Sequence, residues 1–100
     1  MPHAPTTPRT EARPKTARPP LYKVILLNDD FTPRDFVVTV LKAVFRMGEG
    51  EALGVMLAAH QLGAAVVAVF TREIAEEKIL RAHEMAAAED HPLTFTSEKE

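Results

Sequence analysis

The side chains best equipped for chemistry stand together at 28–35, Asn-Asp-Asp-Phe-Thr-Pro-Arg-Asp, directly after an aliphatic run. An amide, three carboxylates and a hydroxyl within eight positions could ligate a metal, move protons or hold a cation. They could equally turn the chain and start a helix, the ordinary use of Asn, Asp, Thr and Pro. The calcium option fails, because the segment lacks the glycine and the spaced oxygen ligands of a calcium loop. His60, His83 and His91 form no HExxH or i, i+4 pair, and His3 lies near the N-terminus, so no structural metal is expected. The chain has no cysteine and its single serine is Ser97. No GxSxG elbow or glycine-rich phosphate loop occurs. These absences argue against an enzyme and point to a binding module.

The elements that must carry these residues follow from periodicity. Residues 21–28, Leu-Tyr-Lys-Val-Ile-Leu-Leu-Asn, are aliphatic and too short for a helix, which predicts a buried strand. Thr32 then offers an N-cap hydroxyl, Pro33 suits the first helical position and Asp35 the acidic half of a capping box. Phe36, Val37, Val40, Leu41, Val44 and Phe45 form that helix's apolar face, opposite Arg34, Thr39, Lys42 and Arg46. Gly48 is expected to end it.

A second helical stripe, Ala52, Leu53, Met56, Leu57 and His60, spans Glu49 to Leu62 and closes at Gly63. Gly50 and Gly54 each weaken it by about 1 kcal/mol relative to alanine, and the glycine-rich 47–54 is expected to loosen its start. Residues 64–70 predict a second strand. Thr71 then caps a third helix with acidic first turns and a buried stripe of Ile74, Ala75, Ile79, Ala82, Met85 and Ala86. The alternation in Leu-Thr-Phe-Thr-Ser-Glu at 93–98 predicts a third strand. The order β-α-α-β-α-β implies an α/β (α+β) fold, a small two-layer sandwich with a three-stranded antiparallel sheet packed against three helices.

Of the 100 residues, 46% are hydrophobic and 26% charged, ordinary for one globular domain. Residues 1–20 hold six of the eight prolines and carry four basic side chains against one acidic, a net +3. The rest holds 8 basic and 13 acidic side chains, a net −5. The division is a disordered basic tail over 1–20 and a domain over 21–100, since the tail has too little apolar surface to offset its ordering entropy. Its scattered cations lack interleaved aromatics, so no nucleic-acid partner is expected. The longest mainly apolar run, 62–70, is far below the roughly 20 residues of a membrane span. With no cysteine either, a cytoplasmic protein without a membrane partner is expected.

Taken alone, His60 reads as a half-buried histidine, Met56 as core, and Asn28, Asp29 and Asp30 as turn and cap. Yet the first strand ends at Asn28 where the first helix begins, while the second helix carries His60 one turn after Met56. A polar rim could stand beside an apolar wall.

The stretches Tyr-Lys-Val-Ile-Leu-Leu-Asn-Asp-Asp-Phe-Thr-Pro (22–33), Val-Met-Leu-Ala-Ala-His (55–60), Val-Phe-Thr-Arg-Glu-Ile-Ala-Glu-Glu-Lys (69–78) and His-Pro-Leu-Thr-Phe-Thr-Ser-Glu-Lys (91–99), in this order and spacing, resemble the ClpS family. ClpS proteins are adaptors of the bacterial Clp protease. The resemblance implies a non-enzymatic, cofactor-free monomer that binds N-degron peptides and proteins by a bulky hydrophobic first residue (Phe, Leu, Tyr or Trp). It implies delivery of these to the N-terminal domain of the ClpA unfoldase for degradation by ClpAP.

Carried over by position, Asn28, Asp30 and His60 hold the ligand's α-amino group. Leu27, Thr32, Val37, Met56, Ala59 and Leu93 line the hydrophobic pocket, and Glu73 and Lys78 face the unfoldase. The assignment fits the chemistry, since an ammonium is a compact three-donor cation and an amide oxygen, a carboxylate and a neutral imidazole are acceptors. One departure stands at the pocket gate, where family members often carry Met and this chain has Arg34. Its aliphatic stem covers the rim, or the exclusion of β-branched first residues is altered. The alternative function is a structural docking domain that binds the unfoldase or another assembly without an amino-acid pocket.

Overall fold

The computed structural model describes residues 18–100. The expected tail over 1–20 therefore lies largely outside the described residues. Strand β1 (Leu21–Leu27) is followed by helices α1 (Arg34–Phe45) and α2 (Glu49–Leu62), strand β2 (Ala64–Thr71), helix α3 (Arg72–Ala88) and strand β3 (Thr94–Lys99). The sheet is antiparallel in the order β2-β1-β3, with a bulge in the β1–β2 ladder between Val24 and Ile25. The aliphatic first strand thus takes the centre.

Alternation along β1 sends Val24 and Leu26 to the helix side, where they are 0% and 2% exposed. Facing them are Val40, Leu41, Val44 and Phe45 of α1 and Ala75, Ala82 and Ala86 of α3, while Phe95 of β3 lies beside Leu26 in the sheet. The alanines let α3 approach the sheet closely. Phe45 meets Phe95 in a tilted contact at 5.3 Å and stacks on Phe70 at 6.4 Å, ring centre to ring centre. The His83 Nε2 accepts a hydrogen bond of 2.9 Å from the Phe95 N–H and ties β3 to α3.

Several local expectations are corrected. Arg34, not Pro33, is the first residue of α1; Pro33 is its N-cap and no side chain caps the helix. The Thr32 hydroxyl donates back to Asp29 instead, so Asp35 completes no capping box. The helix ends at Phe45 rather than at Gly48, because Arg46 takes the left-handed conformation (φ 62°) and the following Met47 N–H turns back to the Leu41 carbonyl at 3.3 Å. The glycine-rich start of α2 is regular: Gly48 is its N-cap and accepts from the Ala52 N–H at 2.9 Å.

The buried stripe of α2 is Ala52, Met56 and Ala59, leaving Leu53 and Leu57 44% and 36% exposed and His60 exposed. Small alanines win the core side because they let the helix approach its neighbours. In α3, Ile74 likewise stays 43% exposed while Ile79 and Met85 pack partly against the core.

Candidate functional site

The end of β1 is fastened to the end of α2. The Asn28 N–H donates to the Gly63 carbonyl at 3.0 Å, and the Gly63 N–H donates to Ala59 at 2.8 Å. Gly63 is left-handed (φ 93°), a conformation glycine adopts without cost. This junction carries His60, in the last turn of α2, to the loop that follows β1.

Asp29 organises that loop. One carboxylate oxygen accepts the N–H groups of Phe31 (2.8 Å) and Thr32 (2.7 Å), and the other accepts the Thr32 hydroxyl (2.9 Å). Partial burial opposes ionisation of Asp29. The Thr32 and Phe31 N–H bonds, the Thr32 hydroxyl and the nearby His91 outweigh it, and its pKa lies below the ordinary aspartate value. His91 is itself seated edge-on against Phe36, with ring centres 4.7 Å apart.

The neighbouring Asp30 is exposed and, among the described residues, has no ion-pair partner. Across the mouth the Arg34 guanidinium lies 2.9 Å from His60 Nε2. A guanidinium only donates, so Nε2 accepts and the ring proton belongs on Nδ1. Arg34 therefore reaches over the mouth with its tip on the histidine.

Beneath lies a cavity of about 290 Å³. Its walls include Leu27, Asn28, Asp30, Thr32, Arg34, Val37, Met56, Ala59, His60 and Leu93, so all ten residues expected at the pocket and its gate surround one space. Thr32, Val37, Met56, Ala59 and Leu93 are each no more than 8% exposed and form the interior, while Asn28, Asp30 and His60 are exposed at the rim. Leu26, Asp29, Phe31 and Pro33 complete the lining. Phe31 is 81% exposed. An apolar interior under acceptor groups can hold an apolar side chain attached to a small cation.

Asp29 is the residue that sequence reasoning treated only as a turn former. Its signal was the Asp-x-x-Thr spacing, which lets one carboxylate bond groups two and three positions ahead. Glu73 and Lys78 lie away from the cavity on α3. Glu73 is exposed, whereas the half-buried Lys78 ammonium bonds the Val44 carbonyl (3.1 Å) and sits 5.6 Å from the centre of the Phe70 ring. It caps the C-terminal end of α1, a structural task that its exposed-face reading did not include. Among the described residues no group of three or more His, Cys, Asp or Glu could hold a metal, and no helix is long and apolar enough to cross a membrane.

Residues 17–96 match the family model of the ATP-dependent Clp protease adaptor protein ClpS. The chain is 55% identical to the ATP-dependent Clp protease adapter protein ClpS 2 of Mesorhizobium japonicum, over 100% of this chain and 99% of the relative. It is equally 55% identical to ClpS 1 of Bradyrhizobium diazoefficiens, over the same shares of both chains. Among solved structures, Agrobacterium tumefaciens ClpS2 bound to L-phenylalaninamide is 55% identical and superposes with a TM-score of 0.81, covering 83% of this chain and 100% of that one. The chain belongs to the ClpS family, the non-catalytic adaptors of the Clp protease.

Proposed function

We propose that this ClpS-family adaptor recognises proteins by a free α-amino group on a bulky hydrophobic first residue and delivers them to the ClpA unfoldase for degradation by ClpAP. The observation that carries the reading is the cavity: an apolar interior of Val37, Met56, Ala59 and Leu93 beneath a rim of Asn28, Asp30 and His60. Supporting it, a relative 55% identical binds L-phenylalaninamide, which carries a free α-amine and a benzyl side chain on one carbon. In this chain the ammonium would donate to the Asn28 amide oxygen, the Asp30 carboxylate and the His60 ring, while the first side chain enters the apolar interior.

Charge-assisted hydrogen bonds contribute about 1.5–3 kcal/mol each. Burying a Phe or Leu side chain adds roughly 1.5–3 kcal/mol. Less the association cost, the affinity falls on the order of micromolar. Acetylation removes the charge and two donors.

Arg34 competes at this rim, because its guanidinium occupies the His60 Nε2 lone pair that an incoming ammonium would use. Ligand entry therefore exchanges one donor for another, and Arg34→Met should tighten Phe-initiated peptides and change the ranking of Phe, Leu and Val. Glu73 and Lys78 are proposed contacts to the unfoldase N-terminal domain on family position alone, with the protein acting as a cytoplasmic monomer. The docking-domain alternative gives no account of the cavity.

Fluorescence anisotropy with labelled peptides beginning with Phe, Leu, Val and acetyl-Phe tests recognition. A degradation assay with ClpAP and a Phe-initiated substrate tests delivery. Binding of free Phe and Leu that vanishes on acetylation, with adaptor-dependent degradation, is the expected result. Binding that ignores the N-terminus would leave the docking domain.

A further inference from the structure

We propose that the groove between α1 and α2 is a second subsite, receiving apolar side chains at the second and third positions of a peptide whose first residue fills the pocket. This rests on the reading of the pocket given above. The starting observation is that α2 is apolar on two faces: Ala52, Met56 and Ala59 meet the core, while Leu53 and Leu57 lie 44% and 36% exposed in the groove. Scattered exposed leucines are ordinary, but these two share one concavity of about 470 Å³. A helix apolar on both sides calls for a partner on the second.

Continuity with the pocket identifies the occupant. Arg34 and Met56 line both the pocket and the groove, so the two spaces meet at the mouth. The helices run antiparallel there, as the Arg34–His60 contact of 2.9 Å at one end and the Lys42–Glu49 ion pair of 2.6 Å at the other require. From Arg34 to Lys42 the helical rise gives about 12 Å, room for roughly three extended residues.

A peptide anchored by its first side chain leaves the pocket through its carbonyl. The Arg34 guanidinium stands at that border with donors for it. The groove's charged walls are balanced, Arg34 and Lys42 against Asp35 and Glu49. No net field selects a charged peptide, and the leucines favour an apolar one.

The test is calorimetric titration of the full chain with phenylalaninamide, Phe-Leu-Leu-amide and Phe-Gly-Gly-amide, repeated on Leu53→Ser/Leu57→Ser with its thermal melt and sedimentation. The leucine peptide should bind on the order of tenfold tighter than the glycine peptide. In the double variant this advantage should disappear while phenylalaninamide binds as before. Equal affinity for the two peptides, or an advantage that survives the double variant, overturns the subsite. So does a dimer that the variant converts to monomer, or unfoldase binding lost with the peptide preference intact; these assign the groove to a second copy or to the unfoldase. Failure of phenylalaninamide itself to bind the native chain overturns the pocket reading and this inference with it.

Discussion

Val24 and Leu26 are 0% and 2% exposed beneath the helices, while Asn28 and Asp30, two and four residues beyond Leu26, stand exposed at a cavity rim. One strand thus feeds two regions built on opposite terms. In the core every side chain is matched by packing and the interior is apolar. At the rim Asp29 is bonded three times within its own loop, yet the adjacent Asp30 has no ion-pair partner among the described residues. On the proposed reading, stability and recognition fall to separate residues, even to neighbouring carboxylates: Asp29 holds the loop and Asp30 is left for the ligand.

The separation can be broken from either side. Leu41→Ala, at a fully buried position, should lower unfolding stability by about 2–5 kcal/mol in urea titration. Any peptide binding that remains below the transition should keep its affinity. Asp30→Ala should do the reverse, costing about 1.5–3 kcal/mol of binding to a Phe-initiated peptide, roughly ten- to hundredfold, with an unchanged melt. If Asp30→Ala unfolded the domain, the division between the two regions would be wrong.

Asp29→Ala sits between them and should lower both stability and affinity, by about 1–2 kcal/mol each, because the loop loses its acceptor. The carboxyl pKa is lowered in the folded protein. Its contribution is therefore complete above the ordinary aspartate pKa of about 3.9 and is lost as pH falls through the lower folded value. In Asp29→Ala, stability measured against pH should lack that acid-side loss. The smallest effect separates the two α3 positions. Lys78→Ala should cost about 1 kcal/mol of stability through the lost Val44 bond and the Phe70 contact, whereas Glu73→Ala should stay within about 0.5 kcal/mol. Thermal melts of both variants must precede any assay of delivery.

The element order and the central strand were legible because hydrophobic periodicity and the turn residues agreed along the chain. Misreadings fell where two local solutions competed. The Thr32 hydroxyl could cap α1 or bond Asp29, and loop geometry chose Asp29. Nothing in the residue type of Arg46 signals a left-handed turn, and the nearby Gly48 is the stronger stop signal in the sequence. In α2 a stripe through Leu53 and Leu57 fits helical spacing as well as one through Ala52 and Ala59, and only tertiary approach decides between them.

The candidate site was legible through the family resemblance rather than through spacing. Nothing in the sequence brings His60 to Arg34 across 26 positions except the fold itself. The same holds for Asn28 and Gly63, joined only when β1 and α2 meet.

Whether the rim reads a free amine is decided by a pair of calorimetric titrations of the intact chain, with phenylalaninamide and with N-acetylphenylalaninamide. Binding on the order of micromolar is expected for the first and none measurable for the second. Equal binding of both would show that the rim does not read the free amine, and binding of neither would contradict the pocket altogether.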